Sequence, residues 1–503
     1  MIKSYEKDKE SSIEYSLADY MGDVKKILSV TASAVPSGKF RGESTAEFSG
    51  IVSYDILYSD SEGKLTNINT SSDFDFSVPV DNEKYIDSMI DTKVASVSVR
   101  LTGPRKLIAK AVVASSVKIS EEEDLGVVGD AFSDGRAVET LSEEVKVERA
   151  VFGASAEREY AEEAERIEGV RAEDVEVLAT SGVVRILESL AVDGGVSVRG
   201  EIIVTSIVRT EEQPPFAIRK TIPFEEKIEF DLDGINGISS AVANLTSVSS
   251  AVVDEEEASV ITVSAVTELS AMLAENREVS ITKDAYLVDR DTVSRHEDYR
   301  YTSLVCMDTK SEEVKLVLNR EELGFENVRN ILVMSGEARA VETEGRESGF
   351  NILGDIAFSG IACEINEDNT VNYIPIKFTS PFKLDVNCGC QIPENSEIEA
   401  ALTVPMLETG LDAEKMTVKC TLDVKYRVIC KNTVKRLVEC SVSGDTEYKS
   451  SSSVVTVYYP ESNETLFDVA KKFHTTTLKI ANDNNLSEPS SSIPTPLKRL
   501  IIR

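Results

Sequence analysis

The stretch Gly50-Ile-Val-Ser-Tyr-Asp-Ile-Leu-Tyr58 is an apolar, strand-like block behind a glycine, and the chain contains such a block three times. The other two copies are Gly200-Glu-Ile-Ile-Val-Thr-Ser-Ile-Val208 and Gly354-Asp-Ile-Ala-Phe-Ser-Gly-Ile-Ala362. A phenylalanine follows each glycine after 24 positions and an aspartate follows each phenylalanine after seven, namely Phe74, Phe224, Phe378, Asp81, Asp231 and Asp385. These coordinated spacings predict one domain in three tandem copies, whose glycines lie 150 and 154 residues apart.

The repeated residues carry structural predictions. Similar segments open 26, 25 and 26 residues before the three glycines, at Val24, Val175 and Val328. We expect each glycine to mark a bulge or a tight bend at the start of a strand. The phenylalanines are predicted to anchor the three cores, and the aspartates are predicted to cap turns.

Hydrophobic periodicity indicates β structure in each copy. Apolar residues alternate with polar ones from Val418 to Val428, as in an antiparallel strand with one buried and one wet face. The polar residues of this wet face are Lys419, Thr421, Asp423, Lys425 and Arg427. Residues 97–101 alternate in the same way, residues 260–266 form a more apolar run, and the clearest short helical pattern covers residues 156–167. The predicted fold class is mainly β, with antiparallel sandwich or barrel-like domains.

The repeats and a change of composition suggest domain boundaries. We place the first β repeat at residues 1–120, and an acidic linker with the second repeat at 121–290. The third repeat is placed at 291–445, a serine-rich linker at 446–453, and a different, smaller module at 454–503.

Charge restricts the class of partner. The 503 residues include 88 acidic and 54 basic side chains, a formal charge of −34. Such a surface repels nucleic acids and anionic membranes. The longest charge-free stretch, residues 234–253, is interrupted by serines, and the N-terminal residues do not read as an export signal. We therefore expect a cytoplasmic protein that neither inserts into membranes nor binds nucleic acid.

The sequence predicts no catalytic residue, no metal site and no cofactor. Cys388-Gly-Cys390 has only one residue between its thiols and no second pair, which argues against zinc. An odd total of seven cysteines does not suggest a disulfide framework. Neither His296 nor His474 lies in a recognisable nucleophile motif.

Residues 454–503 differ from the rest of the chain, with six basic and five acidic side chains. The order of apolar runs predicts a strand, two short helices and a closing strand at 500–502. Asn463 is expected to cap the first helix. The helical residues predicted to lie in the core are Leu466, Val469, Phe473 and Leu478.

This βααβ order resembles that of a LysM domain. Glu464-Thr-Leu-Phe-Asp-Val-Ala-Lys-Lys-Phe473 is similar to the first helix of that family, and Ile480-Ala-Asn-Asp-Asn-Asn-Leu486 to its second helix. The resemblance implies binding of N-acetylglucosamine in peptidoglycan or chitin. Asn463-Glu464 replaces the usual Gly-Asp, and residues 493–499 replace the usual Pro-Gly-Gln, so a protein ligand on the same fold is an open alternative.

The whole plan, β repeats followed by this module, resembles SipL/SpoVID-type spore coat morphogenetic proteins. The block at residues 50–58, the phenylalanine–aspartate spacing and the tail carry the likeness. It implies a non-enzymatic scaffold in the mother-cell cytosol at the forespore surface. Its expected partner is a coat morphogenetic ATPase of the SpoIVA type, bound through the LysM-like module, and the alternative is peptidoglycan.

Polar and aromatic residues of the tail are the candidates for an exposed ligand-binding face. Tyrosine and arginine are enriched among the residues that contribute most to protein interfaces. The predicted face consists of Tyr458, Tyr459, Asn463, Glu464, Thr465, Asn482, Asn484, Lys498 and Arg499.

Overall fold

Antiparallel β-strands make up most of the chain, which confirms the mainly β fold class. The computed structural model describes residues 2–122, 138–154, 157–211, 213–230, 234, 236–255, 258–325, 327–365, 370–448, 455–461, 464–486 and 499–503. Asp231, Asn463, Lys498 and most of the predicted serine-rich linker lie outside the described residues. No helix among the described residues is both long enough and apolar enough to span a membrane.

The first copy of the repeat forms two three-stranded sheets, in the orders β1-β6-β5 and β2-β3-β4. Apolar side chains of both sheets, including Tyr54, Phe74 and Ala109, share one buried cluster. The strands are β1 (Ile2–Ser16), β2 (Val24–Arg41), β3 (Thr45–Asp60), β4 (Leu65–Pro79), β5 (Tyr85–Gly103) and β6 (Lys106–Glu121).

The second copy repeats this topology, in the orders β9-β10-β11 and β7-β13-β12, with β8 also paired to β13. A short 3-10 turn, Ala172–Asp174, precedes β9. Val198, Phe224 and Ala265 lie in the cluster that both sheets enclose. The strands are β7 (Val138–Ala154), β8 (Arg158–Glu168), β9 (Val175–Val192), β10 (Gly195–Thr210), β11 (Phe216–Glu229), β12 (Ile238–Glu255) and β13 (Ala258–Leu287).

The third copy has the same arrangement, with the orders β14-β19-β18 and β15-β16-β17. Phe350, Phe358 and Tyr426 lie in its buried cluster. The valines that open the similar segments each begin a strand, since β2, β9 and β15 start at Val24, Val175 and Val328. The strands are β14 (Arg290–Asn319), β15 (Val328–Arg346), β16 (Gly349–Ile365), β17 (Val371–Asn387), β18 (Ser396–Leu411) and β19 (Lys415–Glu447).

Contacts divide the chain into two compact units. Unit 1 contains residues 1–122, 149–275 and 304–430, and unit 2 contains residues 123–148, 276–303 and 431–503. For each of the three copies, most of both sheets therefore belongs to unit 1. This division follows contacts rather than chain order, so the boundaries drawn from the sequence stay predictions.

Within unit 1, residues at equivalent positions of the three copies pack together. One buried cluster contains a leucine 22 residues before each block glycine, and an aliphatic residue seven positions after it. These residues are Leu28, Leu178, Leu332, Leu57, Ile207 and Ile361. Equivalent positions of the three copies thus pack against one another.

The block glycines lie within strands β3, β10 and β16, each beside a bulge. The register with the preceding strand shifts opposite or next to each of them. A methyl group at Gly200 would lie 2.5 Å from the Phe224 ring, and at Gly354 it would lie 2.8 Å from Phe382. The predicted bulges are therefore present, but the glycines lie inside the strands and not at their starts.

In the third copy, Gly354 and Phe378 share the spacing of the other two copies but do not face each other. Gly354 faces Phe382, as Gly50 faces Phe74 and Gly200 faces Phe224. The hairpin between β16 and β17 is longer, so the equivalent ring follows the glycine after 28 residues instead of 24. Phe378 instead pairs with Phe358, and the two rings stack with centroids 4.8 Å apart.

The aspartates are not equivalent either. The Asp81 carboxylate accepts a hydrogen bond from the Glu83 backbone N–H at 3.2 Å, as in a capped turn. Asp385 lies inside β17 and forms an ion pair with Arg346, so the prediction that it caps a turn is wrong. The longer hairpin of the third copy moves position 385 back into the strand.

Residues 156–167 were expected to form a helix, but Arg158–Glu168 is the strand β8. It pairs with β13, and its Tyr160 ring packs at 5.7 Å from Phe224. Pairing with an existing sheet overrides the helical preference of a Glu/Ala/Arg-rich segment. The many exposed charges of β8 suit a strand at the margin of a sheet.

The wet face predicted for β19 is also partly wrong, because Asp423 and Arg427 are 5% and 3% exposed. Arg185 of the second copy donates to the Asp423 carboxylate at 2.6 and 3.0 Å, and Ser311 donates to it at 2.6 Å. Arg427 contacts Glu399 at 3.1 Å. These polar residues are buried because contacts between copies cover that face of β19.

Replacing Gly200 by alanine should destabilise the protein by about 2 kcal/mol or more, because the new methyl group would overlap the Phe224 ring and the Arg185 carbonyl. Circular dichroism during urea unfolding should show the lower midpoint. Gly410→Ala is the matched control, since that strand glycine has open space around it. Equal midpoints for the two variants would contradict the proposed role of the glycine.

Candidate functional site

The helical module that the sequence places at the C-terminus lies in unit 2. It consists of β20 (Thr456–Tyr458), α1 (Leu466–Lys472), α2 (Thr477–Asp483) and β21 (Leu500–Ile502). The order of elements is thus strand, helix, helix, strand, and β20 pairs with β21 in antiparallel fashion.

Thr465, rather than the predicted Asn463, caps α1. The Thr465 hydroxyl accepts a hydrogen bond from the Asp468 backbone N–H at 3.1 Å, and the Asp468 carboxylate accepts one from the Thr465 backbone N–H at 2.8 Å. This reciprocal pair is a capping box, which satisfies two N–H groups that have no partner inside the helix. Thr465, proposed as a ligand residue, therefore already has a role in forming the helix.

The second helix begins behind Thr476, whose hydroxyl accepts a hydrogen bond from the Lys479 backbone N–H at 3.1 Å. Ile480 and Ala481 are its buried residues. Leu478 is 57% exposed, so its prediction as a core residue is wrong. In a two-turn helix, the positions of the cap and the neighbouring strands decide which side faces inward, and a single apolar spacing does not fix it.

Asn484 joins the end of α2 to β21. Its amide nitrogen donates to the carbonyl oxygens of Ile480 and Ile501 at 2.8 and 2.7 Å, and its oxygen accepts from the Ile501 N–H at 2.7 Å. The Asn484 amide therefore makes its three hydrogen bonds within the module and stabilises its fold. Asn482, the other predicted asparagine, has an exposed side chain and lies on α2.

Tyr458 and Glu464 interact with each other. The Tyr458 hydroxyl donates to the Glu464 carboxylate at 2.8 Å and accepts from the Lys472 ammonium at 2.8 Å. The backbone N–H of Glu461 and then the Tyr458 hydroxyl lower the pKa of Glu464. The carboxylate therefore stays ionised, held by neighbours that belong to the same module.

The module rests on strand segments of unit 2, which we name the base strands and define as residues 138–148, 276–287, 290–303 and 431–447. The Tyr286 ring packs edge-on against Phe467 with centroids 5.1 Å apart. Its hydroxyl donates to the Thr475 carbonyl at 2.7 Å, and burial raises the pKa of this hydroxyl. Tyr286 thereby enters the same buried cluster as the module's own core.

Charged and polar contacts reinforce this packing. Lys471 of α1 lies 2.6 Å from the Asp284 carboxylate, and the Thr477 hydroxyl donates to Glu139 at 2.8 Å. The His474 ring stacks on Tyr448 at a centroid distance of 3.7 Å, and its Nε2 lies 3.4 Å from Asp291. His474 thus contacts the base strands through Asp291.

The outward face of the two-stranded sheet is apolar and basic. Val457 of β20 and the flanking residues Val455 and Tyr459 are 49%, 60% and 68% exposed. Val457 pairs with Ile501, and extending this register places Val455 opposite Arg503 and Tyr459 opposite Arg499. Both arginines are exposed. We call these six residues the sheet face.

Two members of the sheet face, Tyr459 and Arg499, belong to the ligand-binding face that the sequence predicts. Arg503 was not among the predicted residues, and Val455, Val457 and Ile501 were missed because apolar strand residues were interpreted as structural. The alternation of Val455, Val457 and Tyr459 is the signal that could have identified them, since alternate strand residues point to the same side.

Three thiols of unit 1 also lie together. Cys306 contacts both Cys388 and Cys390, and burial, followed by these neighbours, raises the pKa of the Cys306 thiol. Among the described residues, no group of three histidine, cysteine or acidic side chains has an arrangement that could hold a metal ion.

Comparison with protein-family models, with curated proteins and with solved structures found no match for this chain.

Replacing Asn484 by alanine should weaken the module by about 2 kcal/mol, because it removes three short hydrogen bonds and leaves buried backbone groups unpaired. Hydrogen exchange at the Ile501 amide should become faster. Asn482→Ala is the matched control, because that side chain is exposed on the same helix. If Ile501 stays equally protected in both variants, Asn484 is not the residue that joins α2 to β21.

Proposed function

We propose that this chain is a non-enzymatic scaffold in which three tandem β-sandwich domains accompany a C-terminal LysM-like docking module. The observation that supports it best is the sheet face, where three exposed side chains lie beside a half-buried isoleucine that is flanked by two exposed arginines. In a chain with a formal charge of −34, this face suits a partner that offers apolar and acidic groups.

The contacts of the module support a role in adhesion rather than in chemistry. The side chains of Thr465 and Asn484 serve as a helix cap and as a link between α2 and β21. Glu464 is engaged by Tyr458 and Lys472. What remains exposed is a small apolar and basic surface, and tyrosine and arginine are frequent hot-spot residues in protein interfaces.

The resemblance to SipL/SpoVID-type proteins suggests which partner to test. It is a coat morphogenetic ATPase of the SpoIVA type, met at the forespore surface in the mother-cell cytosol. A glycan ligand would use the loops before α1 and before β21. Residues 462–463 and 487–498 of those loops lie outside the described residues, so peptidoglycan is treated as an outcome of the test.

Replacing Val457 by glutamate should weaken binding of the full chain to the purified coat ATPase at least tenfold, because it places a charge in the centre of the sheet face. Isothermal titration calorimetry measures the change. Leu478→Glu is the matched control, since Leu478 is an equally exposed apolar residue on α2. A point variant is preferable to deletion of the tail, because the base strands and the module share one buried cluster.

Two results would overturn the proposal. One is absence of binding between the wild-type chain and the ATPase, and the other is equal binding by the Val457 variant and the wild type. Sedimentation with purified sacculi tests the alternative, binding to peptidoglycan. Pelleting of the chain with sacculi in the absence of any other protein would favour the peptidoglycan-binding function instead.

A further inference from the structure

A cavity lies where the three copies of unit 1 face one another. It has a volume of about 110 Å³, and strands of all three copies line it. The residue five positions after each block glycine reaches it, namely Asp55, Thr205 and Ser359. The cavity is thus built from equivalent positions, but one copy supplies a carboxylate where the other two supply hydroxyls.

Within the described part of the chain, the Asp55 carboxylate has no counter-ion in the cavity, and one of its oxygens has no hydrogen-bond partner. Its Oδ1 atom is inaccessible to solvent and has no hydrogen-bond partner. Burial raises the pKa of Asp55 to about 7, and a hydrogen bond with Asn67 opposes this only in part. Burying a carboxylate that has one oxygen without a partner and no counter-charge costs free energy, which a bound cation would offset.

No basic side chain among the described lining residues forms an ion pair with Asp55. Arg219 is the one other charged side chain among the described residues that line it. Its Nη1 donates to the Leu407 carbonyl at 2.9 Å, and it forms no ion pair with Asp55. The charge of Asp55 is therefore left for a ligand to neutralise.

The remaining walls define the ligand further. Leu57, Ile207 and Leu407 contribute aliphatic side chains, while Thr205 and Ser359 contribute hydroxyl groups that can accept hydrogen bonds. We propose that this cavity binds a small alkylammonium ion, with its ammonium group on Asp55 and its alkyl chain against the aliphatic wall. A free amine and the side chain of a lysine present the same chemistry.

The test is a calorimetric titration of the full chain with n-butylammonium chloride at pH 8. n-Butanol, with the same alkyl chain and no charge, and sodium chloride serve as ligand controls. Asp55→Asn should lower the affinity at least tenfold while circular dichroism shows an unchanged fold. Glu47→Gln is the matched control variant, because Glu47 is an exposed carboxylate on the same strand.

The pH dependence gives a second readout that needs no variant. The amine stays protonated below pH 9, whereas Asp55 gains its charge as the pH rises through about 7. Affinity should therefore increase about tenfold between pH 6 and pH 8, following the ionised fraction of Asp55. Arg219, the other charged group of the cavity, keeps its charge throughout this range.

A parallel titration with a short peptide that contains a single lysine distinguishes the two sources of the alkylammonium group. Tighter binding of the peptide would identify a lysine side chain as the natural ligand, and tighter binding of butylammonium a free amine. The proposal is overturned if neither probe binds more tightly than n-butanol. It is also overturned if Asp55→Asn leaves the affinity unchanged.

Discussion

The fit of a phenylalanine ring over a glycine determines how each copy of the repeat is built. The ring of Phe74, Phe224 or Phe382 occupies the place where any larger residue would put its β-carbon. Because a shift of one residue would turn every side chain to the opposite face, this contact fixes the register of the central hairpin. The bulge beside each glycine belongs to the same arrangement, since the neighbouring strand bends where the two backbones approach closely.

That register has a consequence beyond one copy. Once the hairpin is fixed, the leucine 22 residues before the glycine and the aliphatic residue seven after it emerge from the same sheet. Three such sheets bury these residues against one another, which no single copy could do alone. The charged pairs Arg185–Asp423 and Lys118–Glu399 then lie between copies, and their side chains are largely buried. The attraction within such a pair is largely offset by the cost of removing both charges from water.

The sequence was most informative where a pattern reflected the backbone. The glycine spacing predicted a repeated β unit, and the similar segments that open at Val24, Val175 and Val328 proved to begin three strands. It failed where the answer depended on long-range pairing. A four-residue lengthening of one hairpin places Phe382, and not Phe378, opposite Gly354. Pairing with β13 makes a segment with a helical pattern the strand β8. The buried state of Asp423 and Arg427 depended on contacts between copies, which period-two alternation cannot reveal.

The candidate site shows the same division between local and long-range information. The capping box at Thr465 follows from spacing within four residues, but the sequence assigned the cap to Asn463 because both residue types cap helices well. Asn484 looked like a ligand residue because an exposed amide and an amide bonded to a distant strand have the same sequence signature. In the repeats, some equivalent positions have the same kind of side chain and others do not. Positions that meet as aliphatic residues in all three copies hold the copies together, whereas Asp55 differs in chemistry from Thr205 and Ser359 at an equivalent position. A carboxylate that no protein group neutralises is costly to the fold, so its placement in a shared cavity is better explained by binding than by packing.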